Sequence, residues 1–344
     1  NCDNPNTPVK GTAGLRVKGR NVTIAGTGAQ PGDVVFQTRS GYGILFEDCT
    51  DCTLENVTVT GGARDRDENA TNGAVVARGG KVTIENCSLT DNIGDPGAVS
   101  ATMVGICGIV GREGSDLVIR GNQIVRNSWD GIALYRGARA EIEGNVIDGV
   151  DMARGRQAGG GRGVGIGVTW DAEATIVRNR VTRYWKGIGV FVDAQASVRE
   201  NVVEDMLTWG IAYWDGGKGN PVVDIRDNVV YNTGACGITL TAAEMQAGVR
   251  AGSCRGNLVV KTGQNPDYDA SDSYCYQMPI AVESIPNDFD LGGNYFYDNR
   301  RPKHTLLNDD FDLMRFKNTA KPLMSTLSTV PSLRGSEFLA TIGR

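Results

Sequence analysis

Ile176-Val177-Arg178-Asn179-Arg180-Val181 and, one interval later, Val198-Arg199-Glu200-Asn201-Val202-Val203 share one frame: two short apolar runs on either side of an asparagine. The frame recurs at Asn56, Asn86, Asn122, Asn145, Asn179, Asn201, Asn228, Asn257 and Asn294, at intervals of 22–37 residues. An internal repeat of this size is the signature of a solenoid or array. Asparagine tolerates left-handed backbone and bonds neighbouring amides, so it suits a tight corner between strands. Stacked at about 4.8 Å, such residues bond one another up and down a column. The pattern predicts a parallel β-helix with all nine asparagines in one column.

A second element sets the phase. Gly43-Ile44, Gly108-Ile109, Gly131-Ile132, Gly165-Ile166, Gly187-Ile188, Gly210-Ile211 and Gly237-Ile238 each open a further strand, with Gly73-Ala74 and Pro279-Ile280 as degenerate versions. Each coil therefore reads as a Gly-Ile strand, a turn, a second strand ending at the asparagine, and a third strand after it. About ten coils result, counting a weak first one around residues 15–24, and they stack to roughly 50 Å. The expected domain is the solenoid over residues 1–300. Residues 301–344 break the repeat and are expected to form an irregular C-terminal cap, since an open solenoid end needs covering.

Composition fits this all-β reading. The 47 glycines suit corners that need positive φ, and one solenoid absorbs most of the 344 residues. A net charge of −5 argues against a nucleic-acid partner. No apolar run is long enough to span a membrane. The opening Asn1-Cys2 reads as a processed or trimmed start. Eight cysteines, an even number, favour some disulfides and a secreted, periplasmic or cell-surface location. Buried thiols filling the coil interior are the competing reading. Cys49-x-x-Cys52 has no partner pair at zinc-finger spacing, and His304 is the only histidine.

Insertions at 61–72, 92–106, 151–163 and 263–276 all fall between a third strand and the next Gly-Ile, so they stack on one edge. Loops placed by a rigid scaffold are where sites concentrate. The outward face of the Gly-Ile strand then becomes the floor of a groove, with smaller insertions at 216–220 and 241–252 as its second wall. By strand parity Tyr135, Gly167, Thr169, Gly189, Phe191, Ala212 and Trp214 face outward. Asp171, Asp193 and Asp215 follow the glycines of three successive coils and are the expected catalytic residues. Carboxyls in neighbouring coils would stand about 5 Å apart, the spacing of a retaining glycosidase, and next-but-one coils would give about 10 Å. Mutual repulsion would keep one of them protonated as general acid. The plain alternative is that aspartates favour turns. No cofactor is expected, although a calcium ion is a third reading of the carboxylate stack.

Trp214, Phe191, Tyr135 and Trp185 lie on or beside this floor and are expected to carry sugar rings. Lys186, Arg136 and Arg162 border it and suit an acidic glycan, where a basic group neutralises a uronate or takes its α-proton. With its repeated asparagine and Gly-Ile frames the chain resembles, over about residues 12–300, the right-handed parallel β-helix superfamily, the pectate-lyase-like fold. That resemblance implies a home among polysaccharide lyases, glycoside hydrolases and uronate epimerases, with the site on the loop-flanked strand. The Asn-Thr-Asp and Gly-His-Gly motifs of polygalacturonases and the Arg-x-Pro-x-x-Arg run of pectate lyases are missing, so no catalytic residue carries over. The expectation is a monomer acting on a polysaccharide or oligosaccharide, with hydrolysis by paired aspartates leading. A lyase or epimerase is the alternative, and a non-catalytic carbohydrate-binding or surface-structural solenoid the third.

Overall fold

The computed structural model describes residues 12–65, 72–94, 105–149, 163–214, 222–241, 252–265, 277–283, 289–300 and 310–342. Three columns of parallel strands run the length of the solenoid. Gly-Ile strands form the first, including Ile132–Leu134, Val164–Val168, Lys186–Phe191, Trp209–Trp214 and Ile238–Thr241. They share one 17-stranded sheet with the second column, because Tyr42–Glu55 and Asn72–Glu85 run unbroken around the corner between the two. The third column is a separate 10-stranded sheet.

Register follows the repeat. Ile109, Ile132, Ile166, Ile188, Ile211, Ile238 and Ile280 pair in sequence and form one isoleucine stack inside the coils. A fully buried side chain of this kind contributes about 1.5–3 kcal/mol, so the interior column dominates the fold's cohesion. Glycine precedes the isoleucine for a steric reason. A Cβ at Gly187 would lie 2.4 Å from the Gly210 carbonyl oxygen and 2.3 Å from Val203 Cγ1. At Gly131 the same atom would meet the Gly165 carbonyl oxygen at 2.5 Å. Each corner passes too close to the next coil for any side chain.

Seven of the nine asparagines share the column. Asn122, Asn145, Asn179, Asn201, Asn228, Asn257 and Asn294 are buried, and each of the first six donates its side-chain N–H to the next side-chain oxygen at 2.9–3.0 Å. Those oxygens also accept the backbone N–H of the preceding asparagine. Asn56 and Asn86 do not join, which corrects the expectation of nine. Ile84 pairs with Ile119 and Glu85 with Arg120, so Asn86 falls level with Gly121 and Cys87 takes the ladder place. Leu54 and Glu55 pair with Ile84 and Glu85, which puts Val57 there in the coil before. Asn56 and Asn86 adopt left-handed backbone, φ 53° and 52°, where Gly121 and Gly144 stand at 65°. The Cys87 thiol donates to the Leu54 carbonyl, and its N–H donates to Asn122 Oδ1 at 2.9 Å, ending the ladder.

The described part of the C-terminal segment lies along the side of the third sheet. Its first helix, Leu313–Leu327, is capped by Asp312, which accepts the Arg315 N–H at 2.9 Å. Phe316, Ala320, Leu327, Leu333, Phe338 and Ile342 pack on Val202, Val229, Tyr231, Leu258 and Val260. This outward column is polar in early coils, at Ser88 and Gln123, and turns apolar at Val202, Val229 and Leu258. The tail settles where that change leaves apolar surface to cover. It is fastened by Ser332 Oγ donating to the Arg178 carbonyl at 2.6 Å and by the buried Glu204. Glu204 accepts from Ser336 Oγ at 2.9 Å and from the Phe338 N–H, and pairs with Arg180 at 2.7 Å.

Candidate functional site

Strand pairing lines up Ala133, Gly167, Gly189, Ala212, Thr239 and Ala281 as a row of small residues on the outer face of the first column. Strand parity therefore places these side chains where the sequence predicts. The surface above them is less open than a bare trough. The Phe191 ring folds back along its own strand, so a Cβ at Gly189 would lie 2.1 Å from the ring. Toward the N-terminal coils, Tyr42, Leu45, Val76, Cys107, Val110, Ala133 and Tyr135 form a separate buried apolar cluster on this outer face.

Tyr135 and Arg136 belong to that end. Tyr135 is buried, and the guanidinium carbons of Arg112 and Arg136 stand 4.9 and 5.7 Å from its ring centre. Glu113 ties both arginines, at 2.7 Å each. Buried and tied in this way, Tyr135 offers no free face to a sugar ring.

Further along the face Phe191 and Trp214 form an aromatic pair, with rings meeting edge-on at 6.3 Å. Trp214, the most exposed tryptophan among the described residues, is 38% exposed, against 6% for Trp209. Asp171 and Asp193 sit at the adjoining corner, just after the first strand. Trp170 and Asp171 have φ of 51° and 57°, so the corner itself requires left-handed backbone, as the turn reading predicts. The chemistry is nonetheless coupled. Asp193 Oδ1 accepts the Asp171 N–H at 2.8 Å, and the Asp193 charge, followed by partial burial, raises the pKa of Asp171. Asp215 and Arg162 lie outside the described residues.

Lys186 opens the same strand at its other end. It is 5% exposed, with Nζ 4.2 Å from the Trp209 ring centre, 4.4 Å from Trp185 and 5.6 Å from Phe191. Three rings around one ammonium form a cation–π cage. Phe191 thus touches both ends of the strand, the cage on one side and the Trp214 platform on the other.

Asp130 is the functional candidate that sequence reasoning missed. It directly precedes Gly131-Ile132 and is buried, with Oδ1 accepting the Val164 N–H at 2.6 Å. Burial pushes its carboxyl up to about 7, against the opposing pull of that N–H and of the Lys186 charge. The available signal was position: an aspartate next to a tryptophan, at the loop-side start of a Gly-Ile strand, in the aromatic-rich coils. A turn aspartate before glycine looks the same in sequence.

Among the described residues no group of three or more His, Cys, Asp or Glu side chains is arranged to hold a metal ion. The six described cysteines are buried: Cys49, Cys52, Cys87 and Cys254 lie among the coil-interior side chains, as the interior-thiol reading has it, whereas Cys107 and Cys236 sit in separate buried clusters with the small residues of the outer row. No helix among the described residues is long and apolar enough to cross a membrane.

Comparison with known proteins agrees at the level of architecture. No curated protein sequence matches the chain. Among solved structures, it is similar to the Dettilon tailspike protein, at 16% identity and a TM-score of 0.42. The likeness covers 81% of this chain and 56% of the tailspike chain, so this chain spans just over half the tailspike's length. The family described as the right-handed β-helix region matches residues 9–152 and 104–254, more than two-thirds of the chain. With that coverage, and with parallel strand columns and an asparagine ladder in place, the chain belongs to the right-handed β-helix family.

Proposed function

We propose that this protein binds a polysaccharide across the outer face of its first strand column and hydrolyses a glycosidic bond with Asp171 and Asp193. One observation carries the reading: two carboxyls in neighbouring coils, linked by the Asp171 N–H donating to Asp193 Oδ1, with the charge of one raising the pKa of the other. Adjacent coils repeat at about 4.8 Å, close to the roughly 5–5.5 Å between the carboxyls of retaining glycosidases. Asp171 then delivers its proton to the glycosidic oxygen as the bond breaks. Asp193 attacks the anomeric carbon from the opposite face, and Asp171 afterwards takes a proton from the water that releases the sugar. Trp214, with Phe191 at its edge, carries the adjoining ring. In this reading the protein acts as a monomer, secreted, periplasmic or held at the cell surface.

A second reading is favoured by a different observation, the charge of caged Lys186 acting on the buried Asp130 carboxyl. In it Lys186 serves a lyase or epimerase acting on an acidic glycan. The test is a panel of neutral and acidic polysaccharides, scored for new reducing ends and for the ultraviolet absorbance of an unsaturated product. Reducing ends alone, lost in Asp193→Asn with binding retained, support hydrolysis. Absorbance that survives Asp193→Asn and vanishes in Lys186→Ala replaces it with elimination. Binding without either signal makes the solenoid a carbohydrate-binding module.

A further inference from the structure

The Cys49-x-x-Cys52 pair is not used by the reading above. Residues three apart in a regular strand point to opposite faces, so one of these thiols should face solvent. Neither does. Both side chains lie in the core cluster. The backbone explains it. Asp48 and Asp51 have φ of 51° and 54°. Cys49 pairs with Gly80 while Cys52 pairs with Val82, so three steps on this strand oppose two on its neighbour. That is a bulge, and it turns the second thiol inward beside the first. Cys49 Sγ donates to the Val17 carbonyl at 3.3 Å and Cys52 Sγ to the Gly19 carbonyl at 3.6 Å, two residues apart on the preceding coil. The thiols also sense each other: after burial, the Cys52 side chain is the largest cause pushing Cys49 up to about 12. A disulfide needs Cα atoms within about 7 Å, which the roughly 10 Å of an extended three-residue step exceeds and a bulged, left-handed corner shortens.

We propose that Cys49 and Cys52 are a modification site, closing to an intracoil disulfide when the chain meets a disulfide oxidant of the glutathione class. One cysteine thiolate attacks the oxidant's S–S bond and displaces a thiol. The second then attacks the mixed disulfide and displaces the other thiol. The two cysteines together lose two protons and two electrons, and the oxidant leaves as two thiols. Because both sulfurs are buried in the finished coil, the exchange belongs to folding or to an opened N-terminal end. Its place in the fold is informative. The asparagine ladder ends at Asn122, and the earlier coils carry Val57 and Cys87 at the ladder positions. The bond would stitch a corner in coils that this ladder does not reach.

The experiment uses the unmodified chain, refolded with oxidised or with reduced glutathione, then alkylated in denaturant without reduction and digested with trypsin. Residues 40–64 hold no internal Lys or Arg and carry Cys49 and Cys52 as their only cysteines, so one peptide reports on both. After oxidising refolding it should be two hydrogens lighter than the free dithiol and carry no label. After reducing refolding it should carry two labels. Two labels after oxidising refolding to native circular dichroism overturn the proposal. So does finding this peptide joined to one carrying another cysteine. A rise of a few degrees in the thermal midpoint of the oxidised form, abolished in Cys49→Ala, is the expected companion result.

Discussion

Replacing Asp130 with asparagine isolates a single buried carboxyl and asks what it does to stability. In the native state Asp130 keeps its proton up to about 7 where the ordinary value is 3.8, a preference worth about 4 kcal/mol. The folded chain therefore binds this proton more tightly than the unfolded chain. Below about pH 4 both states are protonated and the preference is fully present. As pH rises from there toward about 7, the unfolded chain releases its proton first and the native state loses that advantage, completely so above about 7. Asparagine has no proton to release, and its carbonyl oxygen can still accept the Val164 N–H. Urea melts of both proteins at about pH 5 and about pH 8 give the comparison. The wild type should lose about 2–3 kcal/mol more than Asp130→Asn across that interval. Other titrating groups are common to both proteins and cancel in the difference. An equal loss in the two would refute the claim that Asp130 is held protonated by its surroundings.

The asparagine column makes an opposed pair of predictions: Asn201→Gly should cost about 1–3 kcal/mol by chemical denaturation, because buried partners lose their bonds, whereas Asn86→Gly should be near neutral. Gly187→Ala should destabilise by about 1–3 kcal/mol or more, since its Cβ meets the carbonyl oxygen of the next coil, and a neutral thermal melt would remove that steric account. Glu204→Ala should cost about 3 kcal/mol and expose residues 310–342 to limited proteolysis, because it takes the shared acceptor from Ser336, Phe338 and Arg180. Trp214→Ala should weaken glycan binding several-fold at unchanged melting temperature, measured by calorimetry, and unchanged affinity would move the ligand away from the corner.

The frame that revealed the solenoid also held its own correction. An apolar residue stands three positions before Asn122, Asn145, Asn179, Asn201, Asn228, Asn257 and Asn294, but two before Asn56 and Asn86. That single-residue offset is the whole difference between a ladder amide and a left-handed corner. Parity placed Gly167, Gly189 and Ala212 on the outer face, because alternation is a property of the strand alone. It did not reveal that the Phe191 ring covers Gly189 or that Tyr135 is buried between tied arginines. Those facts depend on rotamers and on neighbours one coil away. Asp130 was hidden for a related reason: its raised pKa comes from burial, and burial is a property of the assembled coils. The bulge that brings Cys49 and Cys52 together is likewise invisible until the neighbouring register is known.

The tail along the third sheet changes how the solenoid comes apart. In a stack of repeats each coil holds only its neighbours, so fraying begins at either end and proceeds one coil at a time. Here Ser332 and Ser336 fasten to Arg178 and Glu204, 154 and 132 positions earlier in the chain, and the helix between them and the last coil packs on Tyr297. Five coils are thereby bound into one cooperative block. Among the described residues the coils before Asn122 have no such strap, and the seven-membered ladder does not reach them; their asparagine tie is the single Asn92–Asn127 pair, at 2.8 Å. Unwinding is thus polarised, entering at the N-terminal coils and meeting its main barrier where the ladder begins.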